Sequence, residues 1–250
     1  MRVIKSHGFW FSLVIVFFSV LFLGPLTSSA TPEKGEGSID KSEVEDDIDI
    51  IKDKNLINPK AKTDSNGTVK IFLDPGHGGS DPGAQSNGLN EKDVVLDIAL
   101  KTKEVLDDEY TGVETNISRT SDKFIELFDR SAMANNWGAD YFVSFHLNSF
   151  DGSASGFESY IYNGNVGAET PTRQLHIHTF LADRLDVQDR GRKQANFSVL
   201  RNTSMPALLL EYMFIDNPTE NELLQEKSYR DYLGELTADA IADTYELAKK

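Results

Sequence analysis

The chain has 250 residues, of which 39% are hydrophobic and 26% charged, and its formal net charge is −15. This length allows one substantial domain with extensions, or two small domains. The negative charge argues against a non-specific nucleic-acid binder and against attachment to anionic lipid. Because cysteine is absent, a disulfide framework, a thiolate nucleophile and a cysteine zinc finger are excluded. Any metal ion must be held by His, Asp or Glu.

Residues 1–30 have the pattern of a secretory signal peptide. Arg2 and Lys5 precede an uncharged apolar run, and Ser28-Ser29-Ala30 supplies the small residues of a cleavage site. An uncleaved membrane anchor is the alternative, because residues 8–32 carry no charge and about 20 apolar residues span a bilayer. We therefore expect the rest of the protein to be secreted, or membrane-anchored if the signal is retained.

Residues 31–67 are rich in Asp and Glu and contain no aromatic residue. Such a segment buries too little apolar surface to offset its ordering entropy. We predict a flexible acidic linker here, followed by a single folded domain over residues 68–250.

From residue 68 onward, short apolar runs alternate with segments of helical periodicity. This alternation predicts an α/β domain with helices on both faces of the sheet. The predicted strands are Val69–Leu73, Val113–Ser118, Tyr141–His146, 157–162 and Ala207–Glu211, and the predicted helices are 91–107, Phe124–Trp137, about 170–185 and about 228–248.

The end of the first strand carries a histidine in a glycine-rich turn. His77 lies between Gly76 and Gly78, and Glu91 follows at the start of the first predicted helix. Open α/β sheets place their sites at the carboxyl ends of strands. An ordinary loop histidine beside a glutamate that favours the helix macrodipole is the simpler interpretation of each residue taken alone.

A second histidine, His146, ends another apolar strand. If the two strands are parallel neighbours, His146 and His77 emerge at the same edge of the sheet. Together with Glu91 they would supply three ligands and leave a fourth position open, which is typical of a catalytic zinc site. Calcium or magnesium would require more oxygen ligands.

Glu211 follows the continuous apolar run Ala207–Leu210. A carboxylate at the end of a buried strand is costly unless it is paired or belongs to a site. It is either the partner of a cation, for which Arg201 is the candidate, or a general base beside a metal-bound water.

The motifs, taken in chain order, resemble the zinc-dependent N-acetylmuramoyl-L-alanine amidases of the type-3 amidase family. The similarity runs from about Val69 to the C-terminus. The matching stretches are IFLDPGHGGSDPGA (71–84), NEKDVVLDIA (90–99), SRTSDKFIELFDRSAMAN (118–135), YFVSFHLNS (141–149), GFESYIY (156–162) and the segment 189–218. One departure is Met213, which stands where the family usually has glycine and is expected to narrow the pocket or to alter substrate preference.

The resemblance implies a twisted, mainly parallel sheet and one Zn²⁺ per chain, held by His77, Glu91 and His146. It also implies hydrolysis of the amide that joins the lactyl group of N-acetylmuramic acid to L-alanine of peptidoglycan stem peptides. Zinc-activated water would attack the carbonyl, with Glu211 acting as general base and then as acid toward the leaving amine.

Other polar residues are expected to contact substrate, to support the structure or to lie on the surface. We expect Asn148, Glu158 and Arg201 to contact substrate. Alternatively, Asn148 orients the neighbouring ligand His146 and Glu158 supports the metal ligands. Arg119, Arg130 and Asn135 match family positions but are expected to be structural. His176 and His178 are expected on the surface of a helix, because positions i and i+2 point in different directions.

Two alternative functions remain open from the sequence. One is a zinc peptidase that cleaves another bond, and the other is an inactive amidase-like module that binds cell-wall peptide. The expected substrate is peptidoglycan or muropeptides. Because no wall-binding repeat is recognisable, we expect either weak, distributive action or delivery by an activator or wall-targeting partner. We expect a monomer, associated with the cell wall, that binds no nucleic acid.

Overall fold

The computed structural model describes residues 67–250, so the predicted signal peptide and almost all of the predicted linker lie outside the described residues. The strands are β1 (Val69–Pro75), β2 (Gln85–Ser86), β3 (Leu89–Asn90), β4 (Val113–Ile117), β5 (Tyr141–Asn148), β6 (Phe157–Tyr162), β7 (Asp189–Ala195) and β8 (Ala207–Phe214). The helices are α1 (Glu91–Glu109), α2 (Leu127–Trp137), α3 (Glu169–Ala182), α4 (Ser198–Arg201), α5 (Pro218–Gln225) and α6 (Lys227–Thr244).

Six strands form one sheet in the order β4-β1-β5-β8-β6-β7, and β2 with β3 forms a separate small hairpin. All neighbouring pairs of the large sheet are parallel except β6 and β8, which are antiparallel. The prediction of a single α/β domain with a mainly parallel sheet is confirmed. Parallel pairing of β1 with β5 and of β5 with β8 brings three carboxyl strand ends to one edge.

Alternate residues of the central strands feed two hydrophobic clusters on opposite faces of the sheet. On one face Leu73, Val143 and Leu210 pack with apolar residues of α1, α3 and α6. On the other face Phe72 and Phe142 pack with α2 and α4. Strands that are buried on both faces have continuous apolar sequences, which is why β1, β5 and β8 were predictable.

The elements that the sequence reading missed are short or polar. β7 has the sequence DRGRKQA and lies at the edge of the sheet, where charged residues are usual. The helix α5 did carry a signal: Asn217 caps it by accepting hydrogen bonds from the amides of Thr219 and Glu220, and Pro218 follows at the first helical position.

The second helix begins at Leu127 rather than at the predicted Phe124. The residues before it are held as a loop against the turn that carries His77. Asp122 accepts hydrogen bonds from the amide of Gly79 and the ammonium of Lys92, and Arg130 donates to the carbonyl of Ile125. Tertiary contacts therefore remove one turn from the predicted helix.

The expectation that His178 lies on the surface was wrong. Its side chain is buried, its ring stacks on Phe157, and its nitrogens lie 2.9 Å from Ser159 Oγ and 2.9 Å from Asp189 Oδ1. Burial lowers the pKa of His178, so its imidazole is neutral near pH 7. The hydrogen bonds of Ser159, His178 and Asp189 join α3 to β6 and β7. Because Ser159 is fully buried, its hydroxyl does not serve as a nucleophile. In the range 67–250 no helix has the length and apolar character needed to cross a membrane.

Candidate metal centre and active site

The turn after β1 presents His77 in a constrained conformation. His77 has φ of 57°, in the left-handed region that non-glycine residues rarely adopt, and Gly78 and Gly79 follow with φ of 125° and 57°. Residues held in such conformations occur preferentially at functional sites, where surrounding contacts maintain them. The turn aims the His77 imidazole at the start of α1.

His77, Glu91 and His146 form a compact cluster. His77 Nε2 lies 3.1 Å and His146 Nδ1 lies 2.9 Å from Glu91 Oε1. One candidate ligand atom from each residue lies within 4.8 Å of the others. The parallel register of β1 and β5, in which Pro75 is opposite Phe145, places both histidines at the same edge. The sequence-based expectation that they emerge together is thus met.

Within this cluster, the carboxylate of Glu91 and the imidazole of His77 each favour the charged form of the other. Burial alone would raise the pKa of Glu91, but hydrogen bonds to His146 and His77 hold that pKa far below its usual value. Burial alone would lower the pKa of His77, but Glu91 and Asp81 raise it. Glu91 Oε2 also accepts a hydrogen bond of 2.9 Å from the Ala84 amide. A buried, ionised carboxylate between two imidazoles is a donor set that suits zinc.

Asp81 is a residue that the sequence reading missed. Its Oδ2 lies 2.8 Å from His77 Nδ1, which leaves Nε2 to face Glu91. Carboxylates that bind the second nitrogen of a metal-ligating histidine fix its tautomer and orientation. The signal was present in the sequence, because Asp81 follows His77 by four residues in the same glycine-rich turn.

Glu211 lies beside this cluster on β8. It is opposite His146 in the β5–β8 pairing, and both residues line a cavity of about 230 Å³ together with Leu127 and Phe197. Its Oε2 atom is buried without a hydrogen-bond partner among the described residues. Burial and the negative charges of Glu91 and Glu158 raise the pKa of Glu211 well above its usual value.

Comparisons with known proteins show the family of this chain. The family model described as N-acetylmuramoyl-L-alanine amidase matches residues 71–243. The chain belongs to the N-acetylmuramoyl-L-alanine amidase family. It is 50% identical over 181 residues to the sporulation-specific N-acetylmuramoyl-L-alanine amidase of Bacillus subtilis (strain 168), covering 72% of this chain and 70% of that protein.

Two further relatives support the same assignment. The N-acetylmuramoyl-L-alanine amidase CwlM of Bacillus licheniformis is 47% identical over 181 residues, 72% of this chain and 70% of that protein. The crystal structure of the N-acetylmuramoyl-L-alanine amidase from Clostridium difficile 630 superposes with a TM-score of 0.69 at 33% identity, covering 72% of this chain and 98% of that one. The protein is therefore a hydrolase, a cell-wall amidase that acts on peptidoglycan.

Glu158 lies next to Glu211 in the amidase, and Asn148 is hydrogen-bonded to Glu158. Glu158 is opposite Glu211 in the β6–β8 pairing and is almost fully buried. Its Oε1 accepts hydrogen bonds of 2.7 Å from Asn148 and 2.7 Å from Tyr160. Burial alone would raise the pKa of Glu158, but hydrogen bonds, foremost from Lys193, lower it to about 2. The side chain is therefore a permanent anion beside the site.

Arg201 is not among the residues that line the Glu211 cavity. It is exposed and donates hydrogen bonds to the backbone and side-chain oxygens of Asn196, and it lines a different cavity, of about 650 Å³. It is therefore not the ion-pair partner of Glu211. Met213 is fully buried in the main hydrophobic cluster and is not among the residues that line the Glu211 cavity.

Arg119 and Arg130 are buried and hold the His77 turn in place. Arg130 pairs with Asp74 at 2.9 Å and donates to the carbonyl oxygen of His77 at 2.6 Å. Arg119 donates to the carbonyl oxygen of Gly76 at 2.8 Å. Asn135 instead joins α2 to the loop that follows α4, through Asn202 and Ser204. These contacts match the structural roles expected from the sequence.

Substituting Gly76 tests how closely the site is packed. A Cβ atom at Gly76 would overlap the imidazole ring of His146, so Gly76→Ala must displace either the ring or the turn. We expect kcat/KM to fall by about 10²-fold, the loss that a misplacement of about 1 Å causes. Gly167→Ala is the matched control, because a Cβ there meets open space. Equal activity of the two variants would contradict this packing argument.

Proposed function

We propose that the amidase hydrolyses the amide between the lactyl group of N-acetylmuramic acid and L-alanine of the stem peptide, using one Zn²⁺ per chain. His77, Glu91 and His146 would hold the ion, and Glu211 would act as general base and acid. The observation that carries this proposal is the buried, unpartnered oxygen of Glu211 beside the His–Glu–His cluster. The remaining evidence is the family membership of residues 71–243.

The residues present fit a zinc ion by the chemistry of their donors. Two imidazole nitrogens and one carboxylate oxygen lie within 4.8 Å of one another, and no cysteine competes for the metal. When bound, zinc supplies Lewis acidity, which polarises a carbonyl group and acidifies water. His77 Nε2 and His146 Nδ1 are the nitrogens that face the carboxylate of Glu91.

Glu211 has the properties of a proton shuttle. Its raised pKa brings proton uptake closer to neutral pH, where a general base and acid is most effective. The unpartnered Oε2 would take the proton of the attacking water and then deliver it to the amine of L-alanine. Leu127 and Phe197 line the same cavity and would limit the access of bulk water to that oxygen.

The substrate indicates where the enzyme acts, and the acidic charge affects how it approaches that substrate. We infer that it acts outside the cytoplasm, where its peptidoglycan substrate lies, and that it is a monomer. A net charge of −15 does not favour approach to anionic wall polymers. An activator, a wall-targeting partner or divalent cations would offset that repulsion.

Digestion of purified peptidoglycan tests the proposed function. We expect chelator-sensitive release of stem peptides with a free L-alanine amine, from glycan strands that keep intact lactyl groups, and recovery of activity with added zinc. Mass spectrometry of the products identifies the cleaved bond. Cleavage within the peptide would indicate a zinc peptidase, and zinc binding without cleavage would indicate a binding module.

A further inference from the structure

A row of charged side chains crosses the sheet from the candidate metal centre to its edge. His146 is opposite Glu211 on β5 and β8, and Glu211 is opposite Glu158 on β8 and β6. Lys193 of β7 then forms an ion pair with Glu158. Since neighbouring strands lie about 4.8 Å apart, β7 is about 10 Å from the strand that carries Glu211.

Lys193 is the foremost of several partners that stabilise the Glu158 anion. Arg190 also binds the same carboxylate oxygen, at 2.9 Å, and Asn148 and Tyr160 bind the other oxygen. The Lys193 side chain remains 36% exposed, and its ammonium lies 5.8 Å from the centroid of the Tyr160 ring. Glu158 takes one of the three N–H donors of this ammonium, which leaves donor capacity for a ligand.

This inference rests on the proposed function, in which the substrate is a glycan joined to a stem peptide. Once its lactyl group is joined to alanine, the glycan carries no carboxylate, so free carboxylates near the scissile bond belong to the stem peptide. The buried Glu158 beside the site is a permanent anion, which disfavours a nearby carboxylate of the peptide unless a cation accompanies it. A cation at the edge of the sheet would attract the carboxylate of the stem peptide and allow it to bind.

We propose that Lys193, fixed by Glu158 and with Arg190 beside it, binds a carboxylate of the stem peptide on the leaving-group side of the scissile amide. An extended peptide advances about 3.4 Å per residue. The separation of about 10 Å between β7, which carries Lys193, and β8, which carries Glu211, therefore suits a carboxylate on the second or third residue of the stem. Lys193 thus selects for a free carboxylate over a carboxamide at that position.

The test compares three muropeptides that share one disaccharide tripeptide. One carries free carboxylates, one has the free carboxyl group of the second residue converted to a carboxamide, and one has a carboxyl group of the third residue converted. We expect the wild type to favour the free form in kcat/KM by about fivefold over at least one amidated form, which is the effect of one partly exposed ionic contact. The amidated muropeptide that has the lower kcat/KM identifies the stem residue whose carboxylate Lys193 binds.

Three variants complete the test. Lys193→Met removes the charge and should lose the preference, whereas Lys193→Arg keeps the charge and should retain it. Lys227→Met, at an exposed lysine of α6, is the control and should behave as the wild type. A wild type without preference, or a preference that persists in Lys193→Met, would overturn the proposal. If the wild type cleaves none of the three, the proposed function fails and this inference fails with it.

Discussion

Glu211→Gln is expected to lower kcat by about 10²–10⁴-fold, the contribution typical of a general acid–base residue. The amide cannot accept the proton of the attacking water, while the size of the side chain is conserved. The candidate ligands His77, Glu91 and His146 form their cluster without Glu211. The variant should therefore keep one zinc ion per chain, as measured by elemental analysis, while its turnover of peptidoglycan is lost.

The control for this substitution is Glu222→Gln, which makes the same chemical change at an exposed position of α5. Its activity should equal that of the wild type. Near-full activity of Glu211→Gln would assign the general base to another residue. Loss of zinc from Glu211→Gln would instead mean that Glu211 supports the metal centre.

His77→Ala and His146→Ala should each lose both bound zinc and activity. Each substitution removes one of three candidate ligands, and it also leaves the buried Glu91 carboxylate without one of its two imidazole partners. We expect zinc affinity to fall by more than the 10–100-fold that loss of an outer partner of a ligand causes. Titration with a chromophoric zinc chelator measures this affinity directly.

His176→Ala is the matched control for the two ligand variants. His176 lies on α3 and its Nε2 is 2.8 Å from the carboxylate of Asp243, outside the cluster. This variant should keep stoichiometric zinc and wild-type activity. A His77 or His146 variant that retains zinc at the wild-type affinity would remove that histidine from the ligand set.

An element of this fold is predictable from the sequence when its own residues carry a distinctive pattern. Strands that are buried on both faces have continuous apolar runs, so β1, β5 and β8 were found with only their ends extended. The edge strand β7 has no such run, because only one neighbouring strand pairs with it. Lys193 was missed together with β7, since its position beside Glu158 depends on that pairing.

The sequence by itself determined the α/β class, the glycine-rich turn around His77 and the four residues proposed to carry the chemistry. The class and the turn follow from local patterns, namely periodicity and glycine beside histidine. The roles of the four residues are instead implied by the family resemblance, because each residue taken alone also has an ordinary structural interpretation. Only the tertiary structure decided that Asp81 orients His77, that Arg201 lies elsewhere and that His178 is buried. The reason is physical, because a side chain's partners are set by strand order and register, which join residues far apart in the chain.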